Sequence, residues 1–577
     1  MLMQRPDERS TYTAADAFND ALVTAGVEYV FINSGTDYPP VIESWAKYVS
    51  QGKKTPKVIV SPHEYAAISA AQGFAQITGK AQAVFVHVDV GTQNLGGALH
   101  NAFRCRTPVF IFAGLSPFTM EGELHGGRNT YIQFIQNAAD QAGIVRGYTK
   151  LNYEYRSGKN IQQMTYRALQ IAQSEPMGPV YMTATRELLE EESVDICADI
   201  SRWGPIAPCG LDGESLSLLT RALGKANKPL VITSYCGRNT QCVDELVKLA
   251  ETLAIPVIGV NEQAYMNFPG DNPMFAGFEA RGFIEHADVA LVIDCDVPWI
   301  PAITGPKANC RVFCIDIDPL KEHIPLWNIR AERFIRADSY TAIRQLNEAF
   351  EQNPSILNPA IIESRRERVR DIHEKMRESW EYTGKGDEGH ITPEFLTMCI
   401  REVITDDTVI LNEAITSSQI LSRLLPRRKP GTFFGSGGSS LGWFGGAAVG
   451  MKLACPDKDI VALTGDGTYI FSCPTAVHWM AAKYNTPFLT VIYNNQGWNA
   501  PKQVSLREYP DGYAMKAGHF HASLAPSAQL DQIAHAAGGA FAKTVSDPKD
   551  LLQALFEGRQ AVKDGKAAVI NVMLPPV

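Results

Sequence analysis

Two periodicities take turns along this chain. Short apolar runs bounded by Gly, Asn, Asp or Pro have the length and β-branched content of buried strands, and the longer stretches between them repeat apolar residues every three or four positions, as helices do. From about residue 13 to 187, ADAFNDALVTAGV leads into YVFIN, KVIVS into EYAAISAAQGFAQIT, and AVFVHV into NLGGALHNAFRC and PVFIFAG. From about 211 to 350 the strand-like runs are PLVITS, IPVIGV, DVALVID and RVFCIDIDP, with DELVKLAETLA as a helix among them. From about 392 onward, strands are predicted at 460–463 and 488–493 with a helical stretch between. Strands that alternate with helices pair in parallel and carry helices on both faces. The expected fold class is therefore α/β, with three doubly wound parallel-sheet domains at 10–187, 205–350 and 385–577. The charge-rich stretch 363–381 reads as a solvated linker helix between the second and third.

A length of 577 residues agrees with about three domains of ordinary size. At 45% hydrophobic and 20% charged residues, the chain has the composition of a folded globular protein and not of a disordered one. A net charge of −9 with no basic stripe argues against nucleic acid and anionic membrane as partners. No run approaches the ~18 apolar residues of a membrane span. The N-terminus shows no apolar core of a signal peptide, so a cytoplasmic location is expected. Eleven cysteines without a CxxC pair read as reduced core thiols, and twelve histidines show no HExxH spacing.

The most chemical stretch lies at 462–499. One predicted strand runs into Gly465-Asp466-Gly467 and the next into Asn494-Asn495. Open α/β sheets bind ligands at these carboxyl edges. Asp466 and Asn495 offer hard oxygens there, and with a backbone carbonyl near Gly497 they suit Mg²⁺, which takes its other ligands from water and a diphosphate. Gly465 and Gly467 would let the backbone approach phosphates at a helix N-terminus. An Asp-Gly turn in an ordinary βαβ unit is the plainer alternative. At 61–80, Glu64 opens a helix rich in Ala and Gly, where an acid is commonly just a favourable N-terminal charge. His87 ends a strand and His63 precedes Glu64; a histidine suits proton transfer near neutral pH, and equally sits satisfied at a strand end.

Gly-Asp-Gly followed 29 residues after its Asp by the second of two asparagines resembles the binding motif for thiamine diphosphate (ThDP). With 61–80, 85–114 and 412–425, the resemblance extends over nearly the whole chain to ThDP-dependent 2-oxo acid decarboxylases and synthases, the acetohydroxyacid synthase and benzoylformate decarboxylase group. It implies pyrimidine-binding, Rossmann-like central and diphosphate-binding domains, in that order. It implies Glu64 as the acid that activates the aminopyrimidine and His87, with His63 as a second candidate, as the group that moves protons. Leu441 falls where a bulky residue props thiamine in its bent shape, and Thr416 and Thr468 fall on hydroxyls that contact the diphosphate. Asn33 and Gly35 fall in the loop that reaches the pyrimidine, with Ser34 replacing that loop's proline. Gln136 lies near a glutamine of the synthases, Arg128 reads as a solvated loop arginine or else as a partner for a substrate carboxylate, and Trp299 and Ile300 as pocket or core.

The resemblance implies ThDP and Mg²⁺ as cofactors and a homodimer or homotetramer with sites at the interface. No motif for FAD is seen. The expected activity is decarboxylation or carboligation of a small 2-oxo acid or acyloin. Cleavage or hydrolysis of a 2-hydroxyacyl or diketone substrate, and a non-catalytic ThDP-fold binding role, stay open; the presence of Glu64 argues against the last. A nicotinamide dehydrogenase built on the second block is disfavoured, because the block lacks a GxGxxG turn.

Overall fold

The computed structural model describes residues 12–260, 264–383 and 389–577. The expected domain limits at 10 and 385, and most of the stretch read for targeting signals, lie outside these residues. The described chain carries three parallel sheets. The first contains β1 (Tyr29–Ile32), β2 (Lys57–Val60), β3 (Gln82–Val86), β4 (Val109–Gly114), β5 (Leu151–Glu154) and β6 (Val180–Ala184), in the order β2-β1-β3-β4-β6-β5. The second contains β7 (Pro229–Thr233), β8 (Val257–Gly259), β9 (Val289–Ile293), β10 (Arg311–Asp316) and β11 (Arg333–Arg336), in the order β11-β10-β9-β7-β8. The third contains β12 (Val409–Glu413), β13 (Phe433–Gly435), β14 (Ile460–Gly465), β15 (Leu489–Asn494), β16 (Phe541–Val545) and β17 (Ala568–Met573), in the order β13-β12-β14-β15-β17-β16.

The first and third sheets repeat one topology, although their sequences do not overlay. Each strand of the first has a counterpart in the third: β1 matches β12, β3 matches β14 and β4 matches β15. Inner strands β3, β4, β6 and β15 are buried at every position, as continuous apolar runs covered on both faces should be. The outermost strands β5 and β16 are mostly half-exposed, with polar residues mixed in, so no clear apolar run marks them in the sequence.

The chain divides into two compact units. One comprises residues up to Ile206 together with Gly438–Ala454 and holds the first sheet; the other comprises Ala207–Gly437 and Cys455–Val577 and holds the other two. In the first unit, Phe18, Phe85 and Phe112 form an aromatic cluster with ring centroids 4.9–5.7 Å apart. Helix Trp443–Ala454 packs on helix Glu64–Thr78 through alanines and glycines. A Cβ on Gly450 would run into the backbone of Ala70, so small residues are what permit this approach. That contact explains the Ala- and Gly-rich composition of 64–78 and holds the helix that begins at Glu64.

In the second unit, helix Pro359–Thr383 corrects the expectation of a solvated linker. Its Val369 is fully buried and packs, with Ile362, Met376 and Trp380, on the core of the second sheet. These residues recur at helical spacing beneath a dense layer of charge, which hides the stripe in the sequence. Arg365 on the same face is 1% exposed and donates to the carbonyls of Leu253 (2.9 Å), Leu223 (3.0 Å) and Ala226. Those carbonyls close helices Gly213–Lys225 and Thr240–Leu253, where a cation is favoured.

His478, on helix Pro474–Lys483, is 1% exposed, stacks on Phe488 and meets the Tyr469 hydroxyl at 3.1 Å. Burial pushes its imidazole down to about 4 from its ordinary 6.5. Above pH 6.5 both folded and unfolded chains keep it neutral. As pH falls from 6.5 toward 4 only the unfolded chain takes up the proton, so stability declines through that window, by roughly 3 kcal/mol in all. The loss of melting temperature between pH 7 and pH 5 should therefore shrink in His478→Phe, and an unchanged loss would show that the site titrates normally.

Candidate active site

The first unit gathers its polar groups at the carboxyl edges of β1, β2, β3 and β4. After β2 the chain turns into helix Glu64–Thr78, with His63 as N-cap; its Nδ1 accepts from the Tyr65 amide at 3.1 Å. Glu64, first residue of the helix, is only 6% exposed. Its Oε2 accepts from Asn94 Nδ2 at 3.0 Å, and a Cβ on Gly91 would come within 3.1 Å of Oε1. A nearly buried carboxylate held on one oxygen by an amide can bind a ring N–H or exchange a proton with it.

His87 sits directly after β3. The sequence predicts a strand through 88 and a helix from 94; instead the strand ends at Val86 and helix Val88–Arg104 starts with His87 as its N-cap, broken only at Gly96 (φ 13°, ψ −106°). The early start puts Gly91 one helical turn after His87, with the Gly91 amide bonded to the His87 carbonyl at 2.7 Å. The imidazole is held at both nitrogens: Nδ1 lies 2.6 Å from Asp37 Oδ1 and Nε2 2.9 Å from Gln136 Oε1. The Asp37 hydrogen bond raises His87 above its ordinary value, against the opposing effect of burial.

Residues 438–441 belong to the same unit and are held by helix side chains. Asn101 Nδ2 donates to the Ser440 carbonyl at 2.7 Å and Asn101 Oδ1 accepts from the Ser440 amide at 2.9 Å. His100 Nε2 bonds the Gly438 carbonyl at 2.9 Å, and the Tyr65 hydroxyl donates to the Leu441 carbonyl. Leu441, half-buried, thus stands on a loop fixed at three points.

The second unit presents the other half of the candidate residues at the edges of β12, β14 and β15. Helix Asp466–Phe471 begins at the end of β14, with Gly465 as its N-cap. Burial raises the Asp466 carboxyl above its ordinary value, and the backbone N–H groups of Gly467, Gly497 and Gln496 work against that rise. A carboxylate so placed is short of positive charge and suits a cation. The two asparagines divide the labour. Asn494 is fully buried and structural, donating to Ser527 and Asn571 at 2.9 Å and accepting from the Gln496 amide at 3.1 Å. Asn495 is half-buried, and its Oδ1 accepts from the Gly497 amide at 3.2 Å. A Cβ on Gly467 would overlap the Trp498 ring, whereas one on Gly465 would meet nothing nearer than Thr468 Oγ1 at 3.8 Å. The missing side chain of Gly467 is therefore filled by tryptophan, and that of Gly465 leaves open space. Thr468 is buried one turn along, and Thr416 is exposed in the short turn Ile415–Ser417 after β12.

Among the described residues no group of three or more His, Cys, Asp or Glu side chains could hold a metal. The donors Asp466, Asn495 and the Gly497 carbonyl are of mixed type, as an oxygen-seeking cation that keeps water allows. Within the first unit the structure sets Glu64 against Gly91, one helical turn after His87, and commits His63 Nδ1 to capping. Asn33 and Gly35 follow β1, and a Cβ on Gly35 would overlap the His87 imidazole. Arg128 braces its own loop, donating to the Pro117 carbonyl at 2.7 Å and stacking on Phe134, so the expectation of a solvated arginine is corrected. Trp299 is both core and lining: it is 7% exposed and, with Val297, Ile300, Ile303 and Arg507, borders a cleft of about 500 Å³ in the second unit. Asp37, Asn94 and Asn101 escape sequence reasoning. Asn94 alone carries a signal there, three residues after Gly91 in GTQN.

Two family models match this chain. The N-terminal TPP binding domain of thiamine pyrophosphate enzymes matches residues 12–144 and the C-terminal TPP binding domain matches 414–572, together about half of the sequence. The chain belongs to the thiamine pyrophosphate enzymes. A probable acetolactate synthase large subunit of Methanocaldococcus jannaschii is 24% identical over 509 residues, covering 84% of this chain and 80% of the relative. Benzoylformate decarboxylase of Pseudomonas aeruginosa is 22% identical over 524 residues, covering 86% and 89%. The solved ThDP-dependent 4-hydroxybenzoylformate decarboxylase of Rhodococcus jostii RHA1 superposes with a TM-score of 0.80 at 20% identity, covering 98% of this chain and 99% of that one. This protein is thus an enzyme of the ThDP-dependent fold, and ThDP is its cofactor.

Proposed function

We propose that this thiamine pyrophosphate enzyme decarboxylates a 2-oxo acid, ending the cycle by protonation or by carboligation to a second carbonyl. The observation that carries the proposal is the placement at one sheet edge of a nearly buried carboxylate, Glu64, bordered by Gly91, and of His87, one helical turn before Gly91, with its imidazole held by Asp37. When bound, ThDP supplies a nucleophilic carbon and an electron sink for the departing group. The residues of the chain then have separate tasks. Glu64 holds the pyrimidine nitrogen and takes or returns its proton, with Asn94 fixing the carboxylate. Leu441 props the cofactor, and Asn33 and Gly35 border its pyrimidine. Asp466, Asn495 and the Gly497 carbonyl hold Mg²⁺, and Thr416, Gly465, Gly467 and Thr468 border the diphosphate. The open space at Gly465 and the cation-seeking environment of Asp466 support that fit. His87 delivers and recovers protons at the substrate.

The working form is further proposed to be a cytoplasmic homodimer or homotetramer. Free cysteines alone among the described residues support the reducing location, and the resemblance to the family supports the assembly. The test is a panel of 2-oxo acids from pyruvate to benzoylformate, with ThDP and Mg²⁺, following CO₂ and carbonyl products together. Release of CO₂ with an aldehyde or a carboligated product is expected from at least one of them. A ThDP-loaded protein that turns over none would reassign the enzyme to cleavage of 2-hydroxyacyl or diketone substrates.

A further inference from the structure

His87 is gripped by a site built around it, and the element that grips it is Asp37. The loop after β1 is pinned by Tyr38, fully buried, whose hydroxyl bonds the carbonyls of Val86 (2.7 Å), at the end of β3, and Phe112 (3.1 Å), within β4. Asp37, next to it, is 5% exposed. Its Oδ1 meets His87 Nδ1 at 2.6 Å, and its Oδ2 accepts from the Val88 amide at 3.4 Å. Two glycines make the room. A Cβ on Gly114 would overlap the Asp37 carboxylate, and one on Gly35 would overlap the imidazole. Val88, β-branched, adopts φ +31° immediately after His87, a strained conformation that persists only where the surroundings impose it. On the far side, Gln136 Oε1 faces Nε2 at 2.9 Å, and the Gln136 carbonyl is itself held by the Ser116 hydroxyl.

We propose that Asp37 is the positioning residue of this active site: it fixes the Nδ1–H of His87, so that Nε2, covered by Gln136 in the resting enzyme, is the nitrogen that trades protons with the substrate. A carboxylate on Nδ1 selects one ring orientation and one tautomer, and it stabilises the imidazolium. In the transfer, the Nε2–H bond breaks, its electron pair stays on Nε2, and the proton joins a substrate atom carrying developing negative charge. Nδ1 keeps its proton throughout, and water restores the one on Nε2 as product leaves. Gln136 Oε1 faces Nε2 at rest and must yield it to the substrate; its side-chain amide then has no further part in the step. The charged groups facing the imidazole are Asp37, from the loop after β1, and Asp89, on its own helix; Arg186 acts one step removed, through Asp37 and the Thr36 carbonyl at 3.3 Å.

This inference rests on the ThDP reading of the site, and the experiment separates the two. In Asp37→Asn, turnover of the preferred substrate should fall about a hundredfold, in the range of a lost general acid. Exchange of the cofactor's C2 hydrogen with solvent deuterium, the task given to Glu64, should stay within about twofold. Histidine ¹⁵N spectra of the protein without cofactor give a readout independent of turnover. There His87 should lose its Nδ1–H form and titrate lower by roughly one unit or more. Gln136→Leu, at a half-buried loop position, provides a second variant: Nδ1–H should persist in its spectra while the Nε2 signal moves. An Asp37→Asn enzyme with unchanged turnover and unchanged His87 spectra would overturn the proposal, and so would equal losses of turnover and C2 exchange. If Asp37→Asn does not fold, a Gln136→Leu spectrum without a protonated Nδ1 overturns it. C2 exchange that survives Glu64→Gln would instead sink the underlying reading of the site.

Discussion

Replacing Glu64 by glutamine is expected to lower turnover by about 10²–10⁴-fold, the range spanned by a lost acid–base group, while leaving the fold intact. The amide has nearly the shape of the carboxylate, so the space bounded by Gly91 and Asn94 is preserved. What disappears is the ability to take a proton. An amide oxygen still accepts the Asn94 hydrogen bond, so the melting temperature should move little. Solvent exchange at C2 of bound ThDP should fall with turnover, because both depend on the same proton. Asn94→Ala supplies the graded control: it frees one carboxylate oxygen and should cost about tenfold, a hydrogen bond to a charged group being worth about 1.5 kcal/mol or more. Measuring turnover and C2 exchange side by side decides the matter. A Glu64→Gln enzyme with wild-type exchange would assign activation of the cofactor to another group.

The second large effect is expected at Asp466. Asp466→Asn should weaken Mg²⁺-dependent ThDP binding by about a hundredfold or more, since the only ionised donor of the proposed set is removed. Stability should respond with opposite sign in the two states. Without cofactor, the wild-type carboxylate is penalised by burial, as its raised pKa records, and asparagine relieves that penalty. The apo variant should therefore melt at or above the wild-type temperature. With saturating ThDP and Mg²⁺, the wild type should gain the larger increase, because a ligand stabilises in proportion to the logarithm of its excess over Kd. Thermal melts with and without both ligands, together with a Mg²⁺ titration, test this. An equal ligand-induced rise in both proteins would remove Asp466 from the metal site.

The two halves of the candidate site differ in how they are written in the chain. Asp466, Asn495 and Gly497 lie within 32 consecutive residues of one strand–helix–strand unit, so their convergence follows from local structure alone. Glu64 and His87 follow β2 and β3, consecutive in the chain but separated in the sheet by β1, so that strand's insertion sets their spacing. Asp37 and Gln136, by contrast, are 50 and 49 residues from His87 along the chain. No period or spacing links them, and only the parallel pairing of β1, β3 and β4 brings their loops to one edge. The two asparagines show a finer limit. Adjacent and alike in sequence, they separate because Asn494 is the last residue of β15 and donates to Asn571 of β17, while Asn495 has left the sheet.

Apolar periodicity by itself determined the α/β class and the inner strands β1, β3, β4, β7, β9, β10, β14 and β15, because a strand covered on both faces must be apolar throughout; the inner strands β6, β12 and β17 escape that reading. It placed Asp466 and Asn495 as candidates, because polar residues closing such strands fall where parallel sheets bind ligands, whereas the family resemblance singles out Glu64. Tertiary structure decided what depends on distant neighbours. It set the half-exposed edge strands, which need no apolar run. It set the buried stripe of 359–383, hidden under charge, and the repetition of one strand order in two sheets of unlike sequence. It also decided the grip of Asp37 on His87. Hydrogen bonds and close packing between loops depend on positions in space, and a linear pattern records only neighbours along the chain.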